Sequence, residues 1–505
     1  MTDITTLPAI QPDTATPSAF PGWHIGDFTV LGLWISIVAF TLHYHEKWAD
    51  EAQAWLIARD LPLSRIWFYE LRYEGSPGLW HTILWIAQHV FHAKYGALGY
   101  FGMAGATAGA ALLIFKAPFP RYIRWPLAFT YFIVYQYAVI ARPYTLLPLL
   151  AFSAAIFFKD LQRPERMTVV LVLLANLSLH GTILAGCFGL AYLIDAWKAR
   201  DTLDAQVRKR YWICIAVMAV TFVFIAIILK PTPDVGEFAK RNPMPAAIEA
   251  MQPTKAVKFE SVIAGAFLDY WVPSALFVVF AGWWCYLRRK LLAYVLTVGL
   301  LIALYVLVHG YAHHHGTVFL AAITTFWIAW PDEEERHAFG LVQCRAILAM
   351  SIAVLGLCAL NIWDATVAIR HEYLYPYSGA ADAANYLKSV EADREKIVGF
   401  LYGVVGVQAY FDHDILANIP TAYYHQGLPL RGFELDPNEF RQIDPEYVLA
   451  FTEQPQLMMQ YGIPPIAAFG YEIVHVSDGY MIYKQGVYVR QVYLILKRTR
   501  ETPQP

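Results

Sequence analysis

Charge is what this chain has least of: Asp, Glu, Lys and Arg make up 15% of its 505 residues, while 57% are hydrophobic. The apolar residues gather in runs of roughly 15 to 25, long enough to span a bilayer, with charged punctuation between them. That pattern identifies a helical integral membrane protein. Cysteine is almost as scarce. The five present (Cys187, Cys214, Cys285, Cys344, Cys358) have no paired metal spacing and none follows Cys358, which excludes a disulfide framework or a cysteine zinc site. The net charge of −2 comes with no basic, aromatic-interleaved stripe, which excludes a nucleic-acid partner. Residues 1–26 contain no Lys or Arg and no small-residue cleavage site, so they are not a secretory signal. They read as a disordered cytoplasmic tail, with the run 28–44 as an uncleaved anchor.

Aromatic residues, by contrast, are abundant: 16 Trp and 32 Tyr suit interfacial belts and also stacking against sugar rings. Eleven crossings are expected, over 28–44, 97–115, 127–141, 144–158, 168–180, 182–194, 211–229, 262–287, 291–308, 316–330 and 342–363. Basic clusters at Lys116/Arg121/Arg124, Lys159/Arg163/Arg166, Lys198 to Arg210 and Arg288/Arg289/Lys290 mark cytoplasmic turns, so an even number of crossings separates each pair. Parity favours two short spans hinged at His180-Gly181 over one long helix across 168–194. The stretch 79–93, short and holding His81, Gln88, His89 and His92, reads as an interfacial helix that does not cross. With these choices the outer loops 45–96 and 230–261, the Arg142, His180 and His309–His315 turns and the C-terminal tail share the outer face. Counting 79–93 as a span would reverse this for Asp50.

The expected organisation is thus a cytoplasmic tail (1–26), an all-α membrane bundle (27–363) and a soluble α/β domain (364–505). Strand-like runs at 396–400 and 447–451 flank a helix-like 379–390, and 471–498 reads as a hairpin with turn signals at Asp478-Gly479 and Gln485-Gly486.

The candidate chemistry lies in polar islands at the outer face. Asp50 and Glu51 open a short amphipathic helix, Asp50 to Arg59, whose Trp55 and Leu56 are expected on the membrane. Two acids also simply suit a helix N-terminus, but a fixed, partly desolvated carboxylate open to a hydroxyl is what a general base needs. Arg142-Pro143-Tyr144 stands alone between apolar runs. A guanidinium grips phosphate through parallel hydrogen bonds, and the bland alternative is snorkelling to head groups. His180, and the run His313-His314-His315, read as anion contacts in preference to a metal tract, since consecutive neighbours converge poorly on one ion. Lys240, Arg241, Lys255 and Lys258 give the proline-rich 230–261 loop the charge of a lid over an anionic donor. Asp269, inside an expected span, needs a polar cavity.

Taken in order, Asp50-Glu51-Ala52, Gly75-Ser76-Pro77, Ala141-Arg142-Pro143-Tyr144, the short spans around His180 and the soluble tail resemble the GT-C class of membrane glycosyltransferases, which includes protein O-mannosyltransferases and lipid A aminoarabinose transferases. The resemblance covers nearly the whole chain. It implies a catalytic Asp50 with Glu51 as motif partner, and donor phosphate held by Arg142, His180, His313, His314, His315, Lys255 and Lys258. Tyr144, Glu74, Ser76 and His81 are the expected substrate contacts. Gly75-Ser76-Pro77 and Pro143-Tyr144 depart from the family's His-Pro-Pro and Pro-Asp. The implied activity is transfer of a sugar from a polyprenyl-phosphate donor to a hydroxyl on a glycan, glycolipid or protein at the outer face of a bacterial inner membrane, with inversion. No cofactor is required, and a divalent metal is left open. The rival expectations are a lipid-linked sugar transporter or flippase, and an O-antigen ligase or polymerase.

Overall fold

The computed structural model describes residues 24–230, 232–233, 253–310, 312–419, 437–459 and 463–499. Lys240, Arg241 and most of the expected N-terminal tail lie outside these. The principal helices are α1 (Ile25–Tyr44), α2 (Ala49–Asp60), α3 (Leu79–His89), α4 (Leu98–Lys116), α5 (Arg121–Ala128), α6 (Leu147–Phe157), α7 (Pro164–Ala175), α8 (Leu179–Lys198), α9 (Ala205–Ile228), α10 (Lys255–Ala266), α11 (Trp271–Leu287), α12 (Leu291–Val308), α13 (His315–Ala329), α14 (Leu341–Leu374) and α15 (Ala380–Ser389).

Among the described residues six helices are long and apolar enough to cross a bilayer, or seven if the bent pair α10–α11 counts as one span. Several of the eleven expected crossings take another form. The 127–141 stretch is a short helix followed by a buried π-turn, Tyr131–Gln136. The α7–α8 break falls at Asn176–Ser178, where Ser178 caps α8 through the Gly181 N–H, one turn before the expected hinge. Every residue of α13 is buried, as expected of a helix apolar on all sides. The helix expected over 342–363 continues to Leu374.

Asp269 falls at a break between two apolar helices. The chain bends by 73° between α10 and α11. Asp269 sits in that bend with φ 63°, its carboxylate 2.6 Å from Lys484 Nζ.

The basic clusters meet at one end of the bundle, through Arg210–Glu165, Lys290–Asp195, Arg288–Glu335 and Lys159 against Trp330. Since α1 starts at that end, where Asp27 pairs with Arg124, and runs 20 residues to Tyr44, the island after it lies about 30 Å away.

The tail forms a four-stranded sheet in the order β1 (Ile397–Phe400), β2 (Tyr447–Thr452), β4 (Tyr488–Arg498), β3 (Tyr471–Ile482), with β1 and β2 parallel and the other pairs antiparallel. Alternation sorts the two faces. Tyr447, Leu449, Tyr493 and Ile495 share a core with α15 and α2, while Val448, Ala450, Val492 and Leu494 pack on the other side. The hairpin turns at Lys484–Gly486. Asp478-Gly479 instead runs inside β3, where the bare Gly479 lets the Ser378 backbone approach.

Candidate active site

Helix α2 places Asp50. Glu51 at its third position accepts the Trp48 N–H at 3.2 Å, closing a capping arrangement that starts the helix there. The helix does not lie on the membrane: Trp55 and Leu56 are 2% and 0% exposed, sealed between bundle and tail. Ala49, Ala52 and Leu56 share a core with Ala380, Val404 and Val405 of the tail. Polar contacts fix the same junction, with Ser378 donating to Lys47 O at 2.9 Å, Gly379 N donating to Glu46 Oε2 at 3.0 Å and Arg59 donating to Phe411 O at 2.6 Å.

Arg142 is aimed by its neighbour. Pro143 opens a 3-10 turn, and the residue before a proline is confined to extended backbone; Arg142 has φ −120° and ψ 172°. Its Nη1 lies 2.6 Å from Asp50 Oδ2 and 3.5 Å from His313 Nε2. The guanidinium also stands 5.7 Å from both the Trp48 and Tyr144 ring centres. Burial would lower the Arg142 pKa, but Asp50 first, together with Tyr144, Tyr402 and Glu74, raises it, so the group is a fixed cation. Burial, then Arg142, push the His313 imidazole well below its usual value. It is therefore neutral. Trp48, Gln136, Ile140, Arg142, Tyr144, His313, Tyr377, Met481 and Tyr483 line a narrow cleft.

Deeper in, the Tyr144 hydroxyl is 3.2 Å from His180 Nδ1, and the His180 and His314 rings are 4.7 Å apart. On the other side of Asp50 a polar row begins. Gln53 donates to Glu74 Oε1 at 2.5 Å, and Glu74 Oε2 is 4.0 Å from His81 Nε2. His81 is 2% exposed with neither ring nitrogen hydrogen-bonded, and burial drops its pKa to about 4. Ser76 occupies the turn after Glu74, where Gly75 takes φ 59°.

Asp50, Arg142, Tyr144, His180, His313 and His314 are thus brought together. His315 points elsewhere: it begins α13 and packs near Tyr305 and Gly265. Lys255 and Lys258 lie in the first turn of α10 and do not line the cleft. Glu51 also faces away from it. It is fully buried, with Oε1 accepting the Ala141 N–H at 2.8 Å and Oε2 3.1 Å from His45 Nε2. His45 Nδ1 in turn lies 3.0 Å from Glu372 Oε1, to which Tyr135 donates at 2.7 Å.

Among the described residues no group of three or more His, Cys, Asp or Glu side chains is arranged to hold a metal ion. Sequence reasoning missed Gln53, one turn after Asp50 on the same helix face and so legible from spacing. It also missed the cleft-lining tail residues Met481 and Tyr483, for which no local signal exists.

No family model and no curated protein sequence matches the chain. Among solved structures it is similar to ArnT from Cupriavidus metallidurans, determined bound to undecaprenyl phosphate, at 12% identity and a TM-score of 0.51 over 94% of this chain and 99% of that one. At that identity the likeness establishes architecture, and the chain has the ArnT-like GT-C fold, a membrane bundle carrying a C-terminal sheet domain.

Proposed function

We propose that this protein is a membrane glycosyltransferase that moves a sugar from a polyprenyl-phosphate donor to an acceptor hydroxyl at the outer face of a bacterial inner membrane, with inversion. The observation that carries the reading is the Asp50–Arg142 pair, 2.6 Å apart at a cleft shared with His313 and Tyr144. The fold's likeness to a protein solved with undecaprenyl phosphate supports the same donor class.

In the resting site the carboxylate and guanidinium neutralise one another. An arriving donor phosphate competes for Arg142, which can bind it through two parallel hydrogen bonds. Asp50 is then released from its counter-ion and becomes the stronger base. It takes the acceptor proton as that oxygen forms its bond to the anomeric carbon, while the bond to phosphate oxygen breaks and Arg142 receives the charge on the departing lipid phosphate. Neutral His313 and His180 are suited to donate hydrogen bonds to the phosphate without repelling Arg142. The Gln53–Glu74 row, with His81 and Ser76 beside it, is suited to sugar hydroxyls. Glu51 acts through the backbone by holding the Ala141–Arg142 turn, and Lys255 and Lys258 are left to the approach of the donor. The acceptor is a glycan, glycolipid or protein.

The test is reconstitution in proteoliposomes with a panel of undecaprenyl-phosphate-linked sugars, reading release of undecaprenyl phosphate. Asp50→Asn is expected to cut release by roughly 100-fold to 10,000-fold. Full release from the Asn variant would end the proposal. Movement of the intact lipid-linked sugar across the bilayer without release would favour a transporter.

A further inference from the structure

The tail reaches into the site through one hydroxyl. Directly after β1, Leu401 adopts φ 68° and ψ 154°, a conformation that side-chain-bearing residues rarely take and that clusters at functional positions. The strained residue turns the chain out of the sheet and into a 3-10 turn, Tyr402–Val404, against the start of α2. There the Tyr402 hydroxyl lies 3.2 Å from Asp50 Oδ1 and 2.6 Å from Gln53 Oε1. The turn is anchored from behind: Val404, Val405 and Val407 pack in the core that holds Ala49 and Ala52, and Tyr493 donates to Gly403 O at 3.0 Å.

Asp50 is therefore contacted on its two oxygens by groups of different origin, Oδ2 by Arg142 of the bundle and Oδ1 by Tyr402 of the tail. We infer that Tyr402 is a positioning residue that orients the Asp50 carboxylate, so that the base is competent only while the tail is docked on α2. The inference rests on the reading of Asp50 as the base and deepens it. With Oδ1 held by Tyr402, Oδ2, which Arg142 gives up to the donor phosphate, is the oxygen presented to an acceptor.

The single Tyr402 proton is shared between Gln53 Oε1 and Asp50 Oδ1, and its donation to the carboxylate favours the charged form of Asp50. Among the described residues the other titratable groups around the Asp50–Arg142 pair are His313, Tyr144 and Glu74 of the bundle and Glu453 of the tail, the last raised by partial burial and by the Asp50 charge. These stay in place when the Tyr402 hydroxyl alone is removed. Loss of the hydroxyl then moves the Asp50 titration to higher pH.

The experiment uses the full-length protein in lipid nanodiscs, wild type against Tyr402→Phe. Carbodiimide labelling of the protonated Asp50 carboxyl is followed against pH by mass spectrometry. The Phe variant is expected to shift the labelling midpoint upward by about one pH unit, the weight of one hydrogen bond to a charged group. Undecaprenyl phosphate affinity should stay within about twofold, and release of that lipid from an active donor should fall about tenfold. An unchanged midpoint overturns the inference, and so does a loss of undecaprenyl phosphate affinity as large as the loss of turnover. The labelling result needs no turnover: if Asp50→Asn keeps full release while Tyr402→Phe still shifts the midpoint, the contact is supported and the reading of Asp50 as base fails.

Discussion

Glu51 Oε1 accepts the backbone N–H of Ala141 at 2.8 Å, so the acid next to Asp50 in sequence holds the turn that carries Arg142. Adjacent carboxylates have thereby divided their work. One pairs with Arg142 beside the cleft, and the other ties helix α2 to that same turn. Glu51→Ala leaves the Ala141 N–H unpaired and His45 with one fewer counter-charge, the situation in which breaking a buried pair costs about 3–5 kcal/mol. The expected outcome is a clear fall in the melting temperature of the purified protein, with Glu51→Gln milder because its amide oxygen can still accept the Ala141 N–H.

The same buried group sets a pH window for stability. Burial alone would lower the His45 pKa, but Glu372 and Glu51 raise it to about 10 from an ordinary value of 6.5. Its folded value is the higher one, so its share of stability is complete below pH 6.5 and is lost as the pH rises towards 10. Glu51 runs the other way: burial would raise it, but the His45 charge and hydrogen bond hold it below its ordinary 4.5. That share is present above pH 4.5 and fades as the pH falls further. Melting temperature is expected to be flat between these limits and to decline on both sides, and His45→Gln should abolish the alkaline decline.

The helical bundle and the strands at 397–400 and 447–452 were legible because periodicity and composition are local properties. Asp50 and Arg142 were legible for a related reason, being polar groups stranded where apolar chain turns round. Trp55 and Leu56 were misplaced because an apolar helix face looks the same to lipid as to a docked domain. The partner of Asp269 was not legible, because Lys484 is 215 residues away and no run of sequence records such a pairing.

Under the proposed mechanism, Arg142 separates donor binding from base chemistry. Arg142→Ala should weaken undecaprenyl phosphate binding by at least tenfold, since a charge-assisted bidentate contact contributes more than a neutral hydrogen bond. Lysine should restore only part, as it offers a point charge in place of a planar fork. Direct binding to the purified protein measures this, and normal affinity in the alanine variant would make Arg142 a head-group anchor.

Orientation in the membrane can be read from two exposed sites. In a Cys344→Ser background, a cysteine at Glu391 should react with an impermeant maleimide on intact spheroplasts, and one at Asp201, beside the basic clusters, only after permeabilisation. The reverse pattern would put Asp50 in the cytoplasm and remove the outer-face reaction.

The last expectation concerns the tip of the tail hairpin, where Lys484 Nζ sits 2.6 Å from Asp269 Oδ1, 3.6 Å from Asp364 Oδ2 and 3.3 Å from Phe267 O. One buried cation thus closes the bend between α10 and α11 onto α14, and the preceding residues Met481 and Tyr483 wall the cleft beside Arg142. Removing the tail at residue 376 would strip that wall and leave two carboxylates facing each other. A truncated bundle is therefore expected to lose undecaprenyl phosphate binding along with transfer, although its spanning helices satisfy their own backbone hydrogen bonds and still insert. Lys484→Met isolates the charge: it should destabilise the protein by about 3 kcal/mol or more, and adding Asp269→Asn should recover part of that loss by relieving the repulsion with Asp364. A truncated bundle that binds the lipid normally, or a Lys484→Met variant that melts with wild type, would show that the tail rests on the bundle without completing it.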